Sequence, residues 1–388
     1  MNMSNNVVLN TLNVPIINDF EHLAEQLSLT QELLYFLTYK KQYCYTRKEI
    51  PKKDGTSRIL YVPHLALKVV QRWILKEILE KINVSNQAMA FVPKKNGLKV
   101  NAEYHKKNIF ILEMDIKKFF DSIKETQVFQ LFCKIGYNTD VSAILANLCT
   151  YEDALPQGAV TSPYIANLVT YHLDVRLNGL CSRKDIVYTR YADDLSFSSN
   201  NRTKLNSIEK FVQCIVREEG FEINEKKTRY LSNDVKKTIT GITINNEELH
   251  VDKDFKKKIR AMIFNSIVNK DYSKNEKIIG CIAYVDSIEE GYKEKIFNYI
   301  IHVTEKGQLK DDIDIVNAYN KNKFFKSLPD MKYEESPFFL EYICGGNILA
   351  TVHQKASGNY VIEIKTRHIV SETLINSVKF RRCGAEFE

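Results

Sequence analysis

The chain has 388 residues, 44% of them hydrophobic and 27% charged, which is typical of a globular protein large enough for two or three subdomains. No stretch approaches the ~20 uninterrupted apolar residues of a membrane helix, and the N-terminus has neither a basic region nor an apolar block of signal length. These features argue against a membrane or secreted protein, while a net charge of +7 permits a nucleic-acid partner without requiring one.

The first 82 residues predict a helix, an extended hairpin and a second helix. Apolar residues at three- and four-residue spacing predict a helix over 17–42. Asp54 and Gly55 lie between two short extended runs and predict a hairpin, because a tight turn needs a positive φ that glycine tolerates. A single apolar face predicts the second helix from about 65 to 82.

Short apolar strands are predicted around three aspartates. Residues 109–114 form an apolar run that ends at Asp115, as expected for a buried strand. Residues 186–199 predict two strands around a tight turn that carries Asp193 and Asp194. The three carboxylates are therefore expected at strand ends.

Helices are predicted between and after these strands. Ser162 and Pro163 indicate an N-cap and a first helical residue, and the apolar pattern continues this helix to Leu173. Another helix is predicted from about 204 to 219, with Gly220 as its stop. The mixture indicates an α+β fold rather than a parallel series of β-α-β units.

A basic helix is predicted near 253–268. Its apolar stripe leaves Lys256, Lys257 and Arg260 on other faces. Such a face can contact phosphates, which supply salt-dependent affinity without sequence information, although a solvated helix face is the ordinary alternative. The last 50 or so residues instead predict strands at 338–343, 347–352 and 360–364, separated by glycine-containing turns.

The eight cysteines are scattered and include no pair spaced by two residues. This spacing excludes a zinc ribbon of the usual kind and gives no support for a disulfide framework. Reduced thiols in the cytoplasm are the simplest interpretation.

Asp115, Asp193 and Asp194 are candidates for a two-metal centre. Joining a hydroxyl to a nucleoside triphosphate requires two divalent cations about 3.5–4 Å apart, and Mg²⁺ prefers hard oxygen ligands from several carboxylates. Adjacent carboxylates at a hairpin tip repel one another unless a cation lies between them. The alternative, favoured for an isolated pair, is that Asp193 and Asp194 only form a turn and Asp115 caps a helix.

Four motifs, in order, resemble those of the reverse transcriptase family, and the resemblance runs from about Tyr39 to Tyr284. Each motif alone is weak, but the four together at the family's approximate spacing are very specific. They are Met-Asp-Ile-Lys-Lys-Phe-Phe (114–120), Leu-Pro-Gln-Gly (155–158), Tyr-Ala-Asp-Asp (191–194) and Gly-Phe-Glu-Ile-Asn-Glu-Lys-Lys-Thr (220–228).

The resemblance implies that Asp115, Asp193 and Asp194 hold two Mg²⁺ ions, with Mn²⁺ as a substitute. Deoxynucleoside triphosphates are the implied substrates. Lys227 would lie near the triphosphate as a proton donor and is counted with the catalytic residues.

The same resemblance implies a nucleotide-binding set. Phe120 would lie under the sugar and exclude a 2′-hydroxyl, with a core aromatic as the alternative, whereas Phe119 is interpreted as a core residue. Gln157 would contact the incoming nucleotide, and Arg58 would bind its triphosphate. For Arg58 and Lys227, a solvated surface role is the rival interpretation.

Two further segments resemble boxes typical of retron enzymes. Asn-Ala-Glu-Tyr-His (101–105) matches their Asn-Ala-x-x-His box, and its Asn101 and His105 are spaced to share one face of a helical turn. A structural role is the alternative for such a histidine. The resemblance implies that both residues bind RNA.

Ile-Thr-Gly (239–241) resembles the retron Val-Thr-Gly box, with Ile239 in place of valine. The change keeps a β-branched side chain. Thr240 and Gly241 are therefore expected to bind RNA, together with the basic helix that follows.

The expected fold is an α+β right-hand polymerase. Residues 1–45 would form an N-terminal helical segment and 46–235 the fingers and palm. Residues 236–325 would form a helical, RNA-binding thumb, and 326–388 a small strand-rich extension of unknown role.

As a retron-type enzyme, the protein would recognise its own structured RNA, prime from the 2′-hydroxyl of an internal guanosine and copy part of that RNA into branched DNA. Such systems resemble phage-defence modules with an effector protein encoded nearby. No RNase H or endonuclease segment is recognisable, so a host RNase H would remove the template.

Two alternatives stay open at this point. One is another bacterial reverse transcriptase, either of the group II intron type or from a different defence system. The other is a noncatalytic RNA-binding scaffold, against which the three intact aspartates argue.

Overall fold

The computed structural model describes residues 3–51, 55, 57–269, 273–303, 340–344, 347–354 and 360–364. Side chains are described only as far as residue 300. All strand ladders in these ranges are antiparallel and lie among helices, so the predicted α+β class is confirmed. None of the described helices is both long and apolar enough to cross a membrane.

The N-terminal region contains three helices rather than one long one. The predicted helix over 17–42 is wrong in this respect, because the chain turns between α2 and α3. Ser28 has a φ of +53°, and the Thr30 hydroxyl accepts a hydrogen bond from the Leu33 amide and starts a new helix. The helices are α1 (Met3–Thr11), α2 (Phe20–Gln26) and α3 (Gln31–Tyr39).

The fingers contain the predicted hairpin and the predicted second helix. Strands β1 (Tyr45–Pro51) and β2 (Ser57–Pro63) pair antiparallel, and the predicted turn falls mostly outside the described residues, although Gly55 has the expected positive φ. Helix α4 (Leu65–Trp73) continues into a π-helical stretch at Ile74–Ile78 and a 3-10 turn.

A four-stranded sheet of order β4-β5-β3-β6 lies in the predicted palm. Helices α10 and α11 pack against it, and α5 contacts β4. The strands are β3 (Phe110–Asp115), β4 (Val187–Tyr191), β5 (Asp194–Ser199) and β6 (Arg229–Leu231). The helices of this region are α5 (Gly97–His105), α6 (Phe119–Ser122), α7 (Glu125–Ile135), α8 (Thr139–Cys149), α9 (Ser162–Val169), α10 (Tyr171–Ser182) and α11 (Arg202–Glu218).

The helix predicted from Ser162 to Leu173 is two helices. Thr161 rather than Ser162 occupies the N-cap position, and the chain breaks at Thr170, whose hydroxyl donates to the Ala166 carbonyl at 2.6 Å. This local side-chain bond competes with the continuing helix. Leu173 consequently belongs to α10.

A second hydrophobic core, built largely from isoleucine, joins the thumb to Ala102 of α5 and Ile111 of β3. Ile259, Ile263 and Ile267 of the predicted basic helix are buried there, as its apolar stripe predicted. The elements are β7 (Thr238–Ile239), β8 (Ile242–Thr243), β9 (His250–Val251), α12 (Lys253–Val268), α13 (Asn275–Ile288) and α14 (Tyr292–Val303).

The predicted C-terminal strands are also present. They form a three-stranded antiparallel sheet of β10 (Leu340–Cys344), β11 (Asn347–Gln354) and β12 (Tyr360–Ile364). The predicted turns between them lie outside the described residues.

Candidate active site and nucleic-acid cleft

The palm sheet brings the three predicted aspartates together. Asp115, the last residue of β3, is directly opposite Asp194, the first residue of β5. The Ile116 amide donates to the Asp193 carbonyl at 2.9 Å, which ties the β4–β5 turn to the neighbouring strand. Ala192 forms this turn with a φ of +56°, so both aspartates are presented at one edge of the sheet.

The electrostatics of this edge disfavour three free carboxylates. Partial burial raises the pKa of Asp193, and the charge of Asp115 adds to the effect. Although Asp194 is solvent-accessible, partial desolvation and the charges of Asp193 and Asp115 raise its pKa to about 7. Lys227 and Arg58 oppose the shift at Asp193, which places Arg58 within electrostatic reach of the site.

Lys227 contacts Asp115 directly. Its ammonium lies 2.7 Å from Asp115 Oδ2, and this hydrogen bond raises the pKa of Lys227 against the opposing effect of desolvation. Asn224 donates its side-chain amide to Asp115 Oδ1 at 3.3 Å. The structure therefore places the predicted proton donor beside the first aspartate.

The donor set fits a hard divalent cation. Carboxylate oxygens are the ligands Mg²⁺ prefers, and a cation between these aspartates would relieve their repulsion. Among the described residues, however, no three His, Cys, Asp or Glu side chains already surround one point as ligands. Both oxygens of Asp115 already accept hydrogen bonds, Oδ2 from Lys227 and Oδ1 from Asn224.

A cleft of about 640 Å³ lies beside these carboxylates. The turn between β7 and β8 closes one side with Thr240 and Gly241, whose φ values are +47° and +85°. The Thr240 hydroxyl is buried and has no hydrogen-bond partner among the described residues. The cleft walls include Asp115, Asp194, Lys226, Lys227, Arg229 and Thr240.

The Leu-Pro-Gln-Gly loop lies against the fingers. The Gln157 carbonyl accepts a hydrogen bond from the Tyr61 amide of β2 at 2.8 Å. Gly158 has a φ of +118°, and a Cβ there would come within 2.8 Å of the Tyr61 carbonyl oxygen. Only glycine permits this approach, which holds the predicted nucleotide-contacting loop beside the strand that carries Arg58.

Phe119 is the core residue that the sequence predicted, and Phe120 is less buried. Phe119 is buried in the main core, whereas Phe120 is half-buried at its edge. Their rings meet edge to face at 5.5 Å, and the exposed ring of Phe91 lies 6.4 Å from Phe120.

The retron-like helix requires a correction. Asn101 and His105 do share one face of α5, but both are fully buried and cannot contact RNA directly in this structure. The two His105 nitrogens bond the hydroxyls of Thr189 (2.6 Å) and Ser198 (2.7 Å), and burial lowers the pKa of His105 to about 3. The imidazole is neutral and joins α5 to the palm strands that flank the aspartate turn.

The three basic residues predicted on α12 differ in their exposure and in their partners. Lys256 is half-buried, and its ammonium lies 2.8 Å from Glu289 Oε1 in an ion pair within the thumb. Lys257 is 78% exposed. Arg260 is exposed and lies over the Tyr299 ring at 5.5 Å.

One buried pair at the site was missed from the sequence. Arg190 and Asp174 form a salt bridge with both side chains fully buried, directly behind the aspartate turn. They are separated by 16 residues on different elements, and neither shows a pattern that would pair them. The only signal in the sequence was the charged Arg190, which lies within a run that is otherwise typical of a buried strand.

Comparison with known proteins identifies the class. A family model for reverse transcriptase (RNA-dependent DNA polymerase) matches residues 50–244, half of the chain. The chain belongs to the reverse transcriptase family and is an RNA-directed DNA polymerase, a nucleotidyltransferase with a right-hand polymerase fold. This family uses divalent metal ions and binds nucleic-acid templates.

Curated relatives narrow the class to the retron type. The chain is 32% identical over 300 residues to the Retron Ec86 reverse transcriptase of Escherichia coli, a match covering 77% of this chain and 93% of that protein. It is 34% identical over 271 residues to the Retron Mx65 reverse transcriptase of Myxococcus xanthus, covering 65% of this chain and 63% of that protein. The predicted family is thereby confirmed.

Solved structures give weaker likenesses that add nothing to the assignment. Apo telomerase from Candida Tropicalis aligns with a TM-score of 0.43 and 12% identity, over 67% of this chain and 58% of that one. A foamy viral protease-reverse transcriptase in complex with double-stranded DNA aligns with a TM-score of 0.36 and 18% identity, over 63% and 38% of the two chains.

Proposed function

We propose that this enzyme recognises a structured non-coding RNA, primes from the 2′-hydroxyl of an internal guanosine, and copies part of that RNA into a branched RNA–DNA molecule. Primer choice and the branched product go beyond the polymerase activity itself. We further expect the product to act with an effector protein in phage defence in the cytoplasm.

One observation carries the proposal: the two retron-like boxes meet beside the catalytic carboxylates. Helix α5 packs on β4 of the palm and on β7 and β8 of the thumb. Ala102 of the first box shares a core with Ile239 of the second. The turn of the second box lines the same cleft as Asp115 and Asp194.

This arrangement suits a polymerase that must orient an internal RNA hydroxyl. Structured RNA is recognised through shape, unpaired loops and 2′-hydroxyls, so a surface beyond the reacting centre is needed. Placing that hydroxyl is an orientation problem, in which a 1 Å error can cost about 100-fold in rate. The Thr240–Gly241 turn would contact the priming strand.

The remaining residues have separable proposed roles. Asp115, Asp193 and Asp194 would hold two Mg²⁺ ions, or Mn²⁺, which when bound activate the attacking hydroxyl and stabilise the leaving pyrophosphate. Arg58 and Gln157 would bind the incoming deoxynucleoside triphosphate, and Phe120 would exclude ribose. Lys227, whose pKa is raised by its hydrogen bond to Asp115, would supply a proton to the pyrophosphate.

The product has further proposed partners. A host RNase H would remove the copied template. An effector protein encoded near the gene would bind the enzyme and its branched product.

The decisive experiment uses the purified enzyme with RNA transcribed from the sequence flanking its gene. With dNTPs and Mg²⁺, we expect DNA covalently joined to RNA and resistant to separation by denaturation. Replacing the priming guanosine by its 2′-deoxy analogue should abolish this product, while extension of an annealed DNA primer continues. DNA that separates freely from the RNA would contradict the proposed priming without touching the polymerase assignment.

A further inference from the structure

Arg190 is a fully buried arginine one residue before the Tyr-Ala-Asp-Asp turn. Its Nε and Nη2 donate to the two carboxylate oxygens of Asp174 at 2.8 and 2.7 Å, and the Tyr188 hydroxyl also donates to Asp174. A buried ion pair is a weak source of stability, because the desolvation of both charges offsets their attraction. The other contacts of the Arg190 guanidinium therefore indicate its role.

The third nitrogen of Arg190 reaches the catalytic turn. Nη1 donates to the Ala192 carbonyl at 3.2 Å and to Asn167 Oδ1 at 3.1 Å. Ala192 has a φ of +56°, in the left-handed region that is unfavourable for a residue with a Cβ, so the turn needs support from its surroundings. The Arg190 backbone is fixed as well, since its amide and carbonyl bond Gln87 and Met89 at 2.8 Å.

The same guanidinium also lies over the ring of Phe119. Its central carbon is 6.0 Å from the centre of the Phe119 ring, within the range of a cation–π contact. Phe119 in turn packs edge to face on Phe120. A single side chain thus contacts the turn that carries two aspartates and the ring that supports the proposed sugar-selecting residue.

We propose that Arg190 is a positioning residue that sets both the aspartate turn and Phe120, so that loss of its contacts impairs nucleotide addition and sugar discrimination together. The second half rests on the proposed role of Phe120. Asp174 acts through Arg190, because its two oxygens fix the plane of the guanidinium and hence the direction of Nη1.

The principal test variant replaces both charges, Arg190→Met with Asp174→Leu, so that no unpaired charge remains in the core. Single-nucleotide extension of an annealed primer should show kcat reduced by about 100-fold with a smaller change in KM. The preference for dNTP over rNTP should fall as well. Arg190→Lys should recover part of kcat, because lysine keeps the charge but cannot make both the bidentate and the carbonyl contacts.

Two controls separate positioning from stability. Leu177→Ala creates a buried cavity one turn further along α10, and it should lower the melting temperature while leaving dNTP preference unchanged. Phe120→Val in the same assay tests the sugar role directly. An unchanged preference in Phe120→Val rejects the proposed role of Phe120, whatever Arg190 does.

The inference is overturned if the variant with Arg190→Met and Asp174→Leu keeps its kcat and its dNTP preference. It is also overturned if kcat falls while the preference stays intact, in an assay where Phe120→Val alters that preference. Should the paired variant not fold, Tyr188→Phe decides, because it removes only the hydroxyl that orients Asp174 and keeps the ring stacked on Phe197 at 5.0 Å. We expect smaller losses of kcat and of preference in that variant. Unchanged values for both would overturn the inference.

Discussion

Asp193 and Asp194 lie side by side on a turn whose negative charge is only partly compensated by Lys227 and Arg58. Neutralising one of them removes a metal ligand and also relieves repulsion. We expect Asp194→Asn to abolish DNA synthesis while its melting temperature in EDTA stays equal to that of the wild type or rises. Primer extension and thermal melting measure the two effects, and substantial extension by Asp194→Asn would reject the metal-ligand assignment.

The selection of deoxyribose over ribose is expected to depend on the side chain of Phe120. If Phe120 lies beneath the sugar, Phe120→Val should admit ribonucleotides that the parent enzyme rejects. Because Phe120 is only half-buried, Phe120→Val should lose less stability than a Phe→Ala change at a fully buried site, which costs about 3–5 kcal/mol. Competition between dNTP and rNTP measures the selection, with a melting curve alongside. An unchanged ratio in a folded variant would place the selection elsewhere.

At the level of elements, α5 has a buried face and an exposed face with different expected roles. Asn101→Ala with His105→Ala should lower the melting temperature and reduce cognate and generic synthesis in parallel, because these side chains join α5 to the palm. Tyr104 on the same helix is 53% exposed. Tyr104→Ala should impair only branched product from the cognate RNA. Loss of cognate product alone in the buried-face variant would restore the predicted RNA-specific role of Asn101 and His105.

The buried imidazole of α5 also predicts a pH dependence of stability. The pKa of His105 is about 3 in the folded protein, whereas a histidine in the unfolded chain has a pKa of about 6.5. Below pH 6.5 the unfolded chain therefore binds a proton that the folded protein does not, and stability falls towards pH 3 by up to about 1.4 kcal/mol per unit. Urea titrations should show that the free energy of unfolding falls less for His105→Gln than for the wild type between about pH 6.5 and 5. Equal losses would place the acid sensitivity in other groups.

For the whole molecule, the sequence predicted what depends on local pattern and missed what depends on packing. The strands at Asp115 and Asp193, the α+β class and the basic helix followed from periodicity and turn chemistry. Spacing also placed Asn101 and His105 on one face of α5, yet it could not show that this face is turned inwards. The Arg190–Asp174 pair was missed for the same reason, since its partners meet only when α10 packs on β4.

The thumb helix gives a prediction about nucleic-acid binding by the whole enzyme. Lys257 and Arg260 are exposed, and Lys257 pairs at the surface with the exposed Asp254 at 3.3 Å. The Lys256 ammonium is instead held by the largely buried Glu289, which also accepts from the Val251 amide. Each phosphate contact adds about one unit to the slope of log affinity against log salt concentration. Lys257→Gln and Arg260→Gln should therefore each flatten that slope for a template–primer duplex, measured between about 50 and 200 mM salt.

Lys256→Gln is the matched control for these two variants, because it removes the same charge from the same helix. Its slope should stay at the wild-type value, since an ammonium paired inside the thumb releases no counterion from the nucleic acid. Its melting temperature should fall instead, because the carboxylate of Glu289 loses its ion pair with Lys256 of α12. If Lys256→Gln flattens the slope as much as Lys257→Gln does, then Lys256 exchanges Glu289 for phosphate when nucleic acid binds. In that case the ion pair belongs only to the free enzyme, and the thumb must rearrange on loading its template.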